Sequence, residues 1–238
     1  MLLLLLTSSA ATANDQIRVA VIDTGFGYGG AVSSHLCPTG HWDFVGQNTN
    51  VADTNGHGTN IAGLIEQHAG DANFCIIVLR FYSPYITGTK NLENEINAMK
   101  RALALKVDFI NISGGGPMSE PAELKVLGEI LKKGIKVVVA AGNEKHDLNK
   151  ECDYYPACYK SRVKKALKKG LTVVGNLNKN GSRAPSSNHG SVVNVWEVGE
   201  NQTAYGLTNS GTSQATAVTT GKLIRSFRKK HESDTRSR

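Results

Sequence analysis

Short runs dominated by valine, isoleucine and phenylalanine alternate along this chain with stretches whose apolar residues recur every three or four positions. Residues 18–23 (RVAVID), 74–81 (FCIIVLRF), 107–113 and 135–141 read as strands buried on both faces. Residues 171–174 and 192–195 read as two further strands. Residues 57–67, 92–106, 121–133 and 213–229 carry helical spacing, as in Ile96, Met99 and Leu103. Alternation of this kind demands a parallel sheet covered by helices on both faces. Right-handed crossovers then bring every strand's C-terminal end to one edge, where open α/β sheets hold their sites. The 238 residues, 40% hydrophobic and 20% charged, suit one such domain. No apolar run approaches the roughly 18 residues of a membrane helix, and no fixed period marks a repeat.

The first 13 residues read as a signal peptide. Five leucines follow Met1, and Ala11-Thr12-Ala13 has the small-x-small form of a cleavage site. The expected location is secreted or periplasmic. The folded domain is expected over residues 14–230, with a disordered basic tail over 231–238. Charge is uneven: residues 1–119 hold six basic and nine acidic residues, and residues 120–238 hold 21 and 11. No aromatic side chains interleave with the basic runs, so no nucleic-acid partner is expected. Four cysteines without a C-x-x-C spacing argue against a zinc site. Cys152 and Cys158 would close a short loop, leaving Cys37 with Cys75. That is one of three possible connectivities, and spacing alone does not choose among them.

Three reactive side chains fall where the sheet edge should be. Asp23 ends the first strand, His57 opens a helix in Asn-Gly-His-Gly-Thr, and Ser213 opens the last helix in Gly-Thr-Ser-Gln-Ala. Acyl transfer needs this trio: a hydroxyl nucleophile, an imidazole to take its proton, and a carboxylate to hold the imidazole. Asn143, after the fourth strand in Ala-Ala-Gly-Asn, carries a side-chain amide suited to a developing oxyanion. Alone, each residue has a blander reading as a cap or turn former. Gly25, Gly27 and Gly30 also match a dinucleotide fingerprint, but residues 31–40 hold no helical period to receive a pyrophosphate.

Asp23-Thr-Gly, His57-Gly-Thr, Ser113-Gly-Gly-Gly, Ala141-Gly-Asn143 and Gly211-Thr-Ser213 follow one another in the order of a known family. The chain resembles the subtilases, the subtilisin-like serine endopeptidases. The resemblance implies an α/β three-layer sandwich with a mostly parallel sheet of about seven strands and helices on both faces. It implies peptide-bond hydrolysis through an acyl-enzyme on Ser213, with His57 as general base, Asp23 orienting it and Asn143 supporting the oxyanion. Ser113, Gly114 and Gly115 would pair with a polypeptide substrate as an added strand. Ala140, Ala141 and Gly142 would line the pocket for the residue before the scissile bond. No cofactor is expected, and because the stretch from Leu64 to Phe74 is shorter than the loop with which many relatives help hold a tight calcium ion, that site is expected to be missing. Where the family commonly has histidine and methionine, this chain has Asn60 and Gln214. The proline and histidine that usually follow the nucleophile's helix start are replaced by Ala217 and Val218. No inhibitory propeptide is visible, so a separate propeptide or inhibitor partner is one expectation. The alternative is a catalytically silent scaffold of the same fold.

Overall fold

The computed structural model describes residues 16–236. The expected leader lies outside the described residues. The chain runs β1 (Ile17–Asp23), β2 (Trp42–Asp43), α1 (His57–Ala69), β3 (Phe74–Arg80), α2 (Gly88–Ala104), β4 (Phe109–Ile112), α3 (Pro121–Lys132) and β5 (Lys136–Ala140). It continues through α4 (Tyr159–Arg162), β6 (Leu171–Leu177), β7 (Val195–Val198), β8 (Gln202–Ala204), β9 (Leu207–Asn209) and α5 (Thr212–Arg236). Seven strands form one sheet in the order β2-β3-β1-β4-β5-β6-β7, and every neighbouring pair is parallel.

Successive side chains of a strand face opposite ways, and both faces of this sheet are covered. Ala20 and Ile22 of β1 enter one core with Leu79, Ile110, Met99 of α2 and Leu127 of α3. Val19 and Val21 enter the other with Val78, Ile61 and Leu64 of α1, and Ala217 of α5. Three layers result. Helices α1 and α5 pack almost backbone to backbone at Gly221, where a Cβ would lie 2.7 Å from both the Ile65 carbonyl oxygen and His68 Cβ. Any larger residue there must push the helices apart. Cys37 is bonded to Cys75, tying the loop before β2 to β3, and Cys152 to Cys158, closing the loop before α4.

Two boundaries differ from the sequence reading. The last sheet strand begins at Val195, not 192. Val192 and Val193 are buried in a turn, and Asn194 Oδ1 takes the Val173 N–H at 2.8 Å. Helix α5 runs on to Arg236, whereas the sequence reading ends it at residue 229. Residues 225–236 contain neither glycine nor proline and hold several good helix formers, so nothing local stops the helix.

Glu95 of α2 and Glu123 of α3 are buried, and each has an Oε1 without a hydrogen-bond partner. Tyr159 Oη lies 3.0 Å from Glu123 Oε2. Burial drives Glu95 well above the usual carboxylate range, and the charge of Glu123 adds to it. Burial also pushes Glu123 up to about 7; the Glu120 charge helps and the Tyr159 hydrogen bond opposes. A carboxyl raised on folding favours the fold only while protonated. Its contribution is therefore intact below about pH 4.5 and is lost as pH rises through 7, by on the order of 3 kcal/mol for Glu123. Denaturant unfolding at pH 5 and pH 8 is expected to show Glu123→Gln losing less stability than the native chain. Equal losses would mean that Glu123 stays ionised when folded.

Candidate active site

The C-terminal ends of β1, β4 and β5 and the N-terminal ends of α1 and α5 converge on one edge of the sheet. Asp23, the last residue of β1, is buried. Its Oδ1 accepts the Thr24 N–H at 2.8 Å and lies 2.7 Å from His57 Nδ1. That contact assigns the proton to Nδ1 and leaves Nε2 as the basic nitrogen. Burial alone would lower the imidazole pKa, but the charge and hydrogen bond of Asp23, with Asp53 further off, raise it above 6.5.

His57 is held from below by a group that sequence reasoning passed over. Asp53 Oδ1 accepts from the Asn55 and Gly56 N–H groups at 2.9 Å and from Thr24 Oγ1 at 3.0 Å. Its Oδ2 accepts from Thr59 N–H at 2.9 Å and Thr59 Oγ1 at 2.7 Å. Burial opposes its charge, but this set of donors holds its pKa below the ordinary value. One carboxylate thereby satisfies free N–H groups at the start of α1 and fixes the turn carrying His57. Its position four residues before His57, in a run of turn formers, is the one sequence signal it leaves.

Ser213 is the second residue of α5. Its hydroxyl donates to the Ser113 carbonyl at 2.7 Å, and Ser113 Oγ donates to the Ser213 carbonyl at 3.0 Å. Ser113 is tied in turn to Asn111 Nδ2 at 2.9 Å, and Asn111 Oδ1 accepts from Thr220 Oγ1 at 2.8 Å. Among the described residues no hydrogen bond joins Ser213 to His57. Asn143 Oδ1 accepts the Thr212 N–H at 3.0 Å. An N–H must be met by oxygen, so Nδ2 is the end of that amide left free to donate.

A cavity of about 450 Å³ is bordered by Asp23, His57, Ser113, Gly114 and Gly115, together with Glu95 and Met118. Ala140 and Ala141 are fully buried and do not border it, nor does Gly142. Among the described residues no cluster of three or more His, Cys, Asp or Glu side chains is arranged to hold a metal ion.

A sequence model described as "Subtilase family" matches residues 14–235. The chain belongs to the subtilase family. It is 32% identical over 231 residues to subtilisin amylosacchariticus of Bacillus subtilis subsp. amylosacchariticus, and equally to subtilisin E of Bacillus subtilis (strain 168). Each alignment covers 90% of this chain and 56% of the relative, so this subtilase spans a little over half the length of the curated relatives it matches. The crystal structure of a cold-adapted subtilisin-like serine proteinase superimposes with a TM-score of 0.71 at 28% identity, covering 90% of this chain and 76% of that one.

Two positions at which this subtilase departs from the usual family pattern face each other. Asn60 and Gln214 are both buried, and Gln214 Nε2 donates to Asn60 Oδ1 at 3.1 Å. Asn60 Nδ2 reaches the Leu207 carbonyl at 2.8 Å and the Gln202 carbonyl at 3.3 Å, docking the β8–β9 hairpin onto α1. No sequence signal links residues 154 apart; only the fold brings them together.

Proposed function

We propose that this subtilase is a serine endopeptidase acting through Asp23, His57 and Ser213. The observation that carries the reading is the 2.7 Å contact between His57 Nδ1 and a buried Asp23 carboxylate at the sheet edge. In the proposed reaction, Ser213 Oγ bonds to the substrate carbonyl carbon while its proton passes to His57 Nε2. The carbonyl π electrons move onto oxygen, stabilised by Asn143 Nδ2 and the Ser213 backbone N–H. The oxyanion collapses, the C–N bond breaks, and the leaving amine takes the proton from His57. Water then repeats the sequence on the acyl-serine and releases the acid.

Ser113, Gly114 and Gly115 supply the edge to which a substrate strand adds. The Ser113 carbonyl now holds the Ser213 hydroxyl, and a substrate N–H competing for that oxygen would release the hydroxyl toward His57. Catalytic hydrogen bonds often tighten only once substrate is bound. The same contact supports a second reading, a silent scaffold in which Ser213 stays engaged by Ser113. Two disulfides fit work in an oxidising compartment outside the cytosol.

Labelling with a fluorophosphonate, followed by peptide mapping, tests the reading. The adduct is expected on Ser213, at a rate that climbs with pH through a midpoint above 6.5 as His57 loses its proton. A folded protein that takes no label is the scaffold. Labelling at one rate from pH 5 to 9 would remove His57 as the base.

A further inference from the structure

The slot between the Ser113–Gly115 segment and the Ala140–Gly142 segment is not empty. A Cβ built on Gly115 would lie 2.7 Å from Tyr154 Cε1 and 2.9 Å from its Cζ. One built on Gly142 would lie 2.8 Å from Tyr154 Cδ2. Cε1 and Cδ2 are opposite corners of the ring, so the phenol spans the gap from one backbone to the other. Both flanking residues are glycines, and no side chain on either leaves room for the ring.

Tyr154 is held there by its neighbours. It lies inside the loop closed by Cys152 and Cys158. The next residue pairs with the opposite wall: Tyr155 N–H donates to the Gly116 carbonyl at 2.8 Å, and Gly116 N–H to the Tyr155 carbonyl at 3.0 Å. On the other wall, Asn188 Nδ2 donates to the Ala141 carbonyl at 2.9 Å and to Glu144 Oε2 at 2.6 Å, closing the floor beneath Gly142. The slot lies beside the reacting serine, because Gly142 N–H reaches Thr212 Oγ1 at 3.3 Å.

We propose that Tyr154 is the specificity-determining residue of this protein, and that its ring restricts the residue before the scissile bond to glycine, alanine or serine. The proposal rests on the endopeptidase reading for the direction of the substrate strand. A strand lying along Ser113–Gly115 with its carbonyl at Ser213 sends that residue's side chain into the slot. With the ring across the slot, a methyl group is the expected limit, and a benzyl or isobutyl group would meet the ring. Exclusion by a filled pocket is a repulsive device, and removing the obstacle should invert the preference.

The test is calorimetric binding of two short peptides, alike except for a C-terminal alanine or phenylalanine, to the full chain carrying Ser213→Ala, in which nothing is cut. The alanine peptide is expected to bind on the order of 100-fold more tightly. Adding Tyr154→Gly should reverse the order, and Tyr154→Phe, which keeps the ring, should preserve it. Equal or tighter binding of the phenylalanine peptide with Tyr154 in place would overturn the proposal, whether or not the glycine variant folds. So would an unchanged ratio in a folded Tyr154→Gly protein, or binding of neither peptide. Fluorophosphonate labelling of the native chain reports separately on the reaction. An unlabelled protein that still selects alanine would lose the endopeptidase reading and leave Tyr154 as the selector of a bound peptide's C-terminal side chain.

Discussion

Replacing Ser213 by alanine is expected to lower the turnover of peptide hydrolysis by roughly 10⁶, the scale known for the nucleophile of subtilisin, a relative. In the proposed mechanism the loss is large because His57 and Asp23 act only through the hydroxyl: with Oγ gone there is no proton to take and no acyl-enzyme to form. The fold should survive. Among the described residues the Ser213 side chain makes one hydrogen bond, to the Ser113 carbonyl, while the Ser113 hydroxyl still holds the Ser213 carbonyl. A change in unfolding free energy of about 1 kcal/mol or less is expected. Steady-state hydrolysis with a thermal melt of the same sample checks both points, and a variant that still hydrolyses peptides would remove Ser213 as nucleophile.

Asn143→Ala is expected to reduce turnover by about 10²–10³ while leaving KM nearly unchanged, again a magnitude that belongs to subtilisin and its oxyanion asparagine. The split between the two constants follows from geometry. In the proposed mechanism Thr212 holds the oxygen end of the amide, which leaves Nδ2 to donate to the oxyanion, a charge that exists only after attack. Asn143 is exposed, and water can take over the Thr212 N–H in the variant, which keeps the loss from being one of folding. A variant whose KM rises more than its turnover falls would make Asn143 a substrate-binding group.

The sheet was legible because its strands announce themselves. Val19, Val21, Ile76 and Val78 on one face and Ile22, Leu79 and Ile110 on the other leave uninterrupted apolar runs. Strand β2, two residues long, and the three-residue β8 and β9 are too short to show any period. The candidate residues Asp23, His57, Ser213 and Asn143 were visible because each lies at or just past a strand end or at a helix start, within two residues of a glycine. Asp53 escaped notice because an aspartate in a turn-rich run looks like any other turn former until its five donors are counted. Tyr154 was beyond reach for a different reason. Its role depends on three separate segments meeting, and no local pattern records that the space between Gly115 and Gly142 is already taken.

The buried amide pair formed by Asn60 and Gln214 bears on how this chain can drift. An apolar substitution at either position alone leaves the other's amide group without this buried partner, at a cost of about 1–3 kcal/mol. That is a sizeable share of the roughly 5–15 kcal/mol by which domains remain folded. Two sites far apart in the chain are thereby inherited as a single epistatic character. A lineage that replaces the pair by apolar residues one position at a time passes through a destabilised intermediate.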